Sequence, residues 1–549
     1  MTTIHNPVLR GFHPDPSICR VEDVFYIAVS TFEWFPGVLI YRSRNLHDWK
    51  LVGRALDRLS QLNMAGTPAS GGIWAPCLSY ADGKFWLIYT DVKNWAGTPP
   101  AYNDNCKDVH NYLVTADQVE GPWSDPVYMN SSGFDPSLFH DDDGRTWFVN
   151  QLWDYRPGKN SFAGIVLQEY SKQQHKLIGC RTNIFRGSSL GVTEAPHLYK
   201  RRGYYYLMTA EGGTSYRHAV TLARSRNIEG PYELHPQTPL LTSVRDREAV
   251  QTEDMHGDVS RFLCDGLQKA GHGSMAPLTD DEWVLAHLCG RPLPGTLRCP
   301  LGRETALQRL LWRSDDWPWP DGQNPETNAV FAAVDFAPAQ PTGVWREDFD
   351  SNTWALELQT LRLPADYRFD MDSVPGWIGL SGAESFTSTF RQTLLARRVQ
   401  HFAWRAETRM MFEPEDFQQM AGLVVRYNES TQYILRLHRE DDGNKTLGLV
   451  VYDRGVLSLP LGDNEAVIDT ETVRLGVRMD GSRLQFRWSV DAAEWNSIGP
   501  ELDSSKLSDE YALPMGFTGM FVGIGCFDVS GRSAVAYFDY LEYIHTDDQ

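Results

Sequence analysis

Phe134-Asp135-Pro136, the turn Asp143-Gly144 and then Trp147-Phe148-Val149 decide the fold of this 549-residue chain. Asp-Gly between two apolar runs marks a tight hairpin, so the stretch reads as two antiparallel strands behind a proline-marked entry. The layout recurs four more times. Pro14-Asp15-Pro16 leads to Phe25-Tyr26-Ile27-Ala28, and Trp74-Ala75-Pro76, followed by Asp82-Gly83, leads to Phe85-Trp86-Leu87-Ile88-Tyr89. Glu194-Ala195-Pro196 leads to Tyr204-Tyr205-Tyr206-Leu207, and Gly271-His272-Gly273 to Trp283-Val284-Leu285. With Asp15, Trp74, Asp135, Glu194 and His272 as equivalent positions, the steps are 59, 61, 59 and 78 residues. Short strands at that period predict a propeller or a solenoid. Radially closed hairpins favour the propeller, because it leaves only short edges exposed.

Five blades of this size occupy about the first 320 positions. The longer last step holds Thr242 to Leu267, a polar stretch around Glu253-Asp254 and Asp258, expected to be a surface insertion. After the fifth blade, Trp317-Pro318-Trp319-Pro320-Asp321-Gly322, Gln323-Asn324-Pro325 and Ala337-Pro338-Ala339-Gln340-Pro341 read as a linker. The pattern then changes to long alternating strands such as Leu423-Val424-Val425-Arg426-Tyr427, Tyr433-Ile434-Leu435-Arg436-Leu437, Leu484-Gln485-Phe486-Arg487-Trp488 and Tyr537-Phe538-Asp539-Tyr540-Leu541. No helical period competes, so a β-sandwich is expected there. The predicted fold class is all-β, with a five-bladed propeller over residues 1–322 and a β-sandwich over 323–549.

Composition narrows the function. A formal charge of −20 leaves no basic stripe for a nucleic acid. A small neutral or cationic substrate is compatible. Aromatics make up 12% of the chain and can fill β-rich cores or stack on sugar faces. The eight cysteines form no CxxC pair, which suits free thiols in a reducing compartment better than a disulfide frame or a zinc site. The opening residues lack a basic region followed by an apolar run, and no apolar stretch of 18 residues occurs. The expected setting is cytoplasmic, with no membrane partner; a homo-oligomer is compatible with the sequence.

In a propeller the first strand of each blade lines the axis, so residues at one phase of the repeat meet in one pocket. Asp15, Asp135 and Glu194 would converge there with the Trp74 indole and the His272 imidazole. Clustered buried acids push at least one pKa upward and supply a base and an acid at neutral pH, the pair that glycosidic cleavage needs. An isolated Asp-Pro is ordinarily a turn signal; two in phase with Glu-Ala-Pro point to a site. Trp74 in that company reads as a sugar platform. His272 is counted with the substrate-binding residues; by itself it reads equally as a satisfied buried histidine or as the neighbour of a calcium ion.

These residues resemble glycoside hydrolase family 43, and its β-xylosidase branch in particular. The resemblance rests on Asn6-Pro7-Val8-Leu9-Arg10-Gly11-Phe12-His13-Pro14-Asp15-Pro16-Ser17, Ser30-Thr31-Phe32-Glu33-Trp34-Phe35-Pro36-Gly37, Gly72-Ile73-Trp74-Ala75-Pro76, Phe134-Asp135-Pro136-Ser137, Thr193-Glu194-Ala195-Pro196-His197, Ala270-Gly271-His272-Gly273 and Leu301-Gly302-Arg303-Glu304-Thr305. It implies Asp15 as general base, Glu194 as general acid and Asp135 as the acid that tunes and orients Glu194, with inversion at the anomeric carbon. It also implies that Arg303 binds sugar hydroxyls, where the residue alone would read as a blade-closing ion pair. Trp74 and Phe32 would line the terminal-sugar subsite, and Phe517, in Gly516-Phe517-Thr518-Gly519, would reach it from the sandwich unless it is strand packing. The implied substrate is a xylooligosaccharide cut from its non-reducing end. α-L-Arabinofuranosidase activity, a binding propeller without catalysis and a retaining fructosidase-like hydrolase are the alternatives. No cofactor is required and no metal ligand is assigned; Gly273-Ser274-Met275 departs from the branch pattern and leaves calcium on the axis near His272 open.

Overall fold

The computed structural model describes residues 4–95, 106–244, 266–321, 343–491, 494–513 and 515–545. Five antiparallel sheets follow one another in chain order, the fourth of five strands and the others of four. Their innermost strands are Ser17–Val21, Gly72–Ala81, Ser137–His140, Glu194–Arg201 and Gln268–Pro277. Each later strand pairs with the one before it, so every blade runs from the axis outward. The fourth blade also pairs Leu241–Thr242 with Ala219–Ser225.

Alternation explains why the second strands are rich in apolar residues. In Val24–Val29, Phe25, Ile27 and Val29 face blade 5, whereas Tyr26 and Ala28 face blade 2. In Thr146–Trp153, Phe148 packs toward blade 2, and Trp147 and Val149 toward blade 4. Successive side chains point to opposite faces and both faces are buried, so each strand feeds two of the five inter-blade cores.

The proline-marked entries solve a separate problem, turning the chain into the hub. Asp15, Ala75, Asp135, Ala195 and His272 all have φ between 39° and 54°. Four precede a proline, and a left-handed residue there kinks the strand as in a β-bulge; register breaks follow Trp74 and Glu194. The repeat is therefore marked by Asp15, Ala75, Asp135, Ala195 and His272, with steps of 60, 60, 60 and 77 residues. Trp74 and Glu194 do not occupy the same phase as Asp15, Asp135 and His272; they stand one residue earlier. The bulge aims two consecutive side chains inward, and for that reason both sets reach the pocket.

Two residues past each left-handed position lies a second ring: Ser17, Cys77, Ser137, His197 and Ser274. Leu78 N–H donates to Ser17 Oγ at 3.0 Å, Ser137 Oγ to the Pro196 carbonyl at 2.6 Å, and Ser274 Oγ to the Pro16 carbonyl at 2.7 Å while accepting from Ile18 N–H. Ser274 therefore joins the last blade to the first at the hub. The Asn6 side chain repeats that closure further out on Leu307.

Two expectations need correction. Trp317-Pro318-Trp319-Pro320 is no linker: Pro318–Pro320 is the outer strand of blade 5, and both indoles are buried between blades 4 and 5. Proline is acceptable there because an edge strand has one unpaired side. Thr242 to Leu267 is not wholly a surface insertion, since Thr242, Val244 and Leu267 are buried at its ends; residues 245–265 lie outside the described residues, as does the 322/323 boundary.

The second half is a sandwich of two antiparallel sheets. The four runs expected as strands lie in Gln419–Asn428, Thr431–Arg439, Arg483–Ser489 and Val535–His545. The sandwich joins the propeller by backbone pairing of Thr360–Leu361 with Trp34–Phe35, and Phe521 stacks on Trp34 at 3.6 Å between ring centroids.

Ser274→Ala should leave the Ile18 N–H and the Pro16 carbonyl without partners at the closing seam, at a cost of about 2 kcal/mol. The expected result is a lower thermal unfolding midpoint than wild type; an unchanged midpoint would contradict this role for Ser274.

Candidate active site

A cavity of about 410 Å³ opens where the propeller hub meets the sandwich. Asp15, Asp135 and His272 enter it from the left-handed positions; Trp74, Phe134 and Glu194 enter from the residues just before. Phe32, Trp95, Trp153 and Thr214 come from the loops or strand ends that follow the second strands of blades 1 to 4. Arg303 projects from blade 5, and Met515 and Phe517 from the sandwich. Every substrate-contact residue expected from the sequence, Arg303, Trp74, Phe32, His272 and Phe517, lines this one cavity, as do the three acids.

The acids are held differently. Asp15 accepts from Ser30 Oγ at 2.6 Å, and its other oxygen lies 3.5 Å from Arg303 Nη1 and 3.4 Å from His272 Nδ1. Ser30 Oγ in turn accepts from the Ala75 N–H at 2.7 Å, which fixes its hydrogen toward Asp15. Asp135 accepts from the Ala195 N–H at 3.1 Å, so it grips the backbone beside Glu194. Burial, and then the charges of Glu194 and Asp15, push the Asp135 carboxyl well above the ordinary carboxylate range. Burial and the charge of Asp15 raise Glu194 to about 8 against the opposing pull of Arg303 and Lys107. Crowded carboxyls in a dry site retain protons, and a protonated Glu194 at neutral pH has the form of a general acid. His272 is lowered, chiefly by burial, so its imidazole is neutral there.

The walls are aromatic. Trp74 Nε1 donates to the Ser70 carbonyl at 2.8 Å, and Ser70 Oγ accepts from Phe517 N–H at 3.0 Å. Ser70 is itself held by Glu33 Oε2, at 3.0 Å from its N–H. One serine therefore sets both the propeller wall and the sandwich wall. Phe517 packs 4.9 Å from Trp95 and 5.7 Å from Trp74 between centroids. Rings at fixed angles around convergent polar groups suit the C–H faces of a sugar.

The profile for glycosyl hydrolases family 43 matches residues 4–318, and that for the β-xylosidase C-terminal concanavalin A-like domain matches residues 346–544. The chain belongs to family 43. It is 46% identical to a β-xylosidase of Bacillus subtilis across 98% of this chain and 99% of that one. It is also 46% identical to xylosidase/arabinosidase 43B of Humicola insolens, over 99% and 98% of the two chains. The crystal structure of a xylan β-1,4-xylosidase from Bacillus halodurans superposes with a TM-score of 0.88 at 47% identity, covering 98% of this chain and all of that one.

Sequence reasoning missed several lining residues of this family 43 chain. Trp95 and Trp153 end second strands at nearly the same phase as Phe32, a regularity that was available in the sequence. Lys107 gave no such signal. Its Nζ donates to the Trp95 carbonyl at 2.6 Å and sits 4.3 Å over the Trp153 ring, and burial lowers its pKa to about 8 against the pull of Glu194. Among the described residues the carboxylate within 4 Å of the His272 ring is Asp15, whereas calcium takes six to eight oxygen ligands, waters among them. Asp15 is already shared by Ser30 and Arg303. Among the described residues the one cluster of metal-capable side chains is His438, Glu440 and Glu465 in the sandwich, where Glu465 is paired to Arg436 and His438.

Glu194 carries its proton below about pH 8 and loses it above. kcat/KM on xylobiose, whose leaving oxygen needs that proton, should therefore hold below that value and fall as pH rises through it. Lys107→Met removes a charge that favours the Glu194 carboxylate, so the alkaline limb should move to higher pH; a limb displaced downward would contradict the assignment.

Proposed function

We propose that the chain is an inverting exo-β-xylosidase that releases xylose from the non-reducing end of xylooligosaccharides. The observation that carries this reading is the meeting of Asp15, Asp135 and Glu194 around one aromatic cavity that sandwich residues close on one side. Glu194 protonates the leaving oxygen, and Asp15, facing Ser30 and Arg303, takes a proton from the attacking water. Asp135 holds the backbone beside Glu194 and so orients it. Arg303 meets sugar hydroxyls with the guanidinium edge that is turned toward Asp15. Full-length similarity to proteins named β-xylosidase supports the substrate class. A walled cavity favours a chain end over internal attack on xylan.

Arabinofuranoside cleavage is the second reading, favoured by the 46% identity to a protein named xylosidase/arabinosidase. A furanose and a xylopyranose present similar hydroxyls, and walls discriminate them by only a few kcal/mol, about 1–3 for one methylene-sized change. The seven described cysteines are free thiols, which supports a reducing, cytoplasmic setting.

Asp15→Ala should cut kcat/KM on xylobiose and on an activated aryl xyloside alike, by about 10²–10⁴-fold. Glu194→Ala should cost as much on xylobiose but far less on the aryl xyloside, whose leaving group needs no proton. Equal losses on both substrates would remove Glu194 as the acid. NMR of fresh product should show α-xylose first; β-xylose first would replace inversion with retention. Side-by-side rates on aryl β-xyloside and aryl α-L-arabinofuranoside rank the two specificities.

A further inference from the structure

Arg303 is 3% exposed, and a guanidinium carries five N–H groups and a charge that it does not shed. Nη1 faces Asp15 at 3.5 Å, Nη2 donates to the Phe517 carbonyl at 2.9 Å, and the rings of Phe32 and Phe517 stand 5.5 and 5.2 Å from Cζ. The remaining edge, Nε, has no hydrogen bond and lies 4.0 Å from Asp509 Oδ2 of the sandwich. Asp509 is itself 5% exposed, and Oδ1 accepts from the Tyr427 O–H at 2.6 Å. Its neighbour Glu510 takes Lys269 Nζ and the Cys299 N–H, fastening the segment to blade 5. The loop carrying Phe517 crosses directly over this pair: a Cβ added to Gly516 would fall 1.8 Å from Tyr427 Oη.

We propose that Asp509 is a positioning residue that works across the domain boundary, holding the Nε edge of Arg303 so that the guanidinium stays aimed at Asp15 and the terminal sugar. The inference rests on the function proposed above. When Asp15 takes a proton from water its charge is lost, and a buried cation left without a counter-charge is costly. Asp509 is a counter-ion that the reaction does not consume. The sandwich then contributes to the chemistry as well as to the wall.

Burial raises the Asp509 carboxyl to about 7 against Lys269, with Glu510 adding to the rise and Arg303 and the Tyr427 hydroxyl opposing it. Cys299 and Tyr216, which also feel Asp509, are held neutral by their own raised pKa values. The Asp509 charge thus appears as pH rises through 7, which gives a readout that a merely structural role would not move. In the full chain, Asp509→Asn should lower kcat/KM on 4-nitrophenyl β-D-xyloside about tenfold at pH 8, in line with the cost of misplacing a contact group, and less at pH 6. In an Arg303→Ala background the same substitution should cost nothing further. Tyr427→Phe, which keeps the shape and removes the hydroxyl, should move kcat/KM in the same direction and serves if Asp509→Asn does not fold. A wild-type-like Asp509→Asn, a loss independent of pH, or an equal loss without Arg303 would overturn the inference alone. A wild type inactive on both aryl xyloside and aryl arabinofuranoside would overturn the proposed function with it.

Discussion

A left-handed residue at the mouth of every inner strand is the constraint on which this structure turns. Asp15, Ala75, Asp135, Ala195 and His272 each adopt a positive φ. For residues other than glycine that conformation costs about 1 kcal/mol or more and persists only where the surroundings enforce it. What it yields is geometric. Each kink presents two consecutive side chains to the axis, so five strands supply up to ten positions around one cavity. Two positions hold Asp15 and Asp135, another holds Glu194, and Trp74 and Phe134 occupy the corresponding sites in their own blades. The scaffold spends small residues, Ala75 and Ala195, where the companion side chain is large.

Burial then converts proximity into chemistry. In open water three neighbouring acids would all ionise; enclosed by Trp74, Phe134, Phe32 and Phe517, Glu194 keeps its proton at neutral pH and the Asp135 carboxyl is pushed well above the ordinary range. The same enclosure makes Arg303 expensive to hold. It is tolerated because the two domains share it, with Asp15 in front and the Phe517 carbonyl and Asp509 behind. Ser70 works by similar logic, fixing an indole of one domain and a backbone amide of the other. The domain boundary is therefore part of the site.

Much of this was readable in the sequence. The repeat, the three acids and the sandwich strands follow from local patterns, because turn residues and doubly buried strands leave strong periodic marks. The phase was misread by one residue at Trp74 and Glu194: the chemical resemblance of Asp, Glu and Trp at a hub drew the alignment, whereas the backbone aligns the residue before each proline. Trp317 and Trp319 looked like a linker because proline dominates the run, and proline is as much at home on an edge strand. Lys107 and Asp509 had no signature at all. Each acts across a long sequence separation, Lys107 through its charge on Glu194 and Asp509 on Arg303 from more than two hundred residues away, and no local pattern reports that.

The central claim is spatial, and the most direct measurement is crystallographic: Glu194→Gln, soaked with xylobiose. The account requires the non-reducing xylose ring to lie against Trp74 and Phe32, its glycosidic oxygen within hydrogen-bond reach of residue 194 and a water between Asp15 and the anomeric carbon. A sugar bound on the outer blades, or in the cavity with its glycosidic oxygen turned away from residue 194, would contradict it.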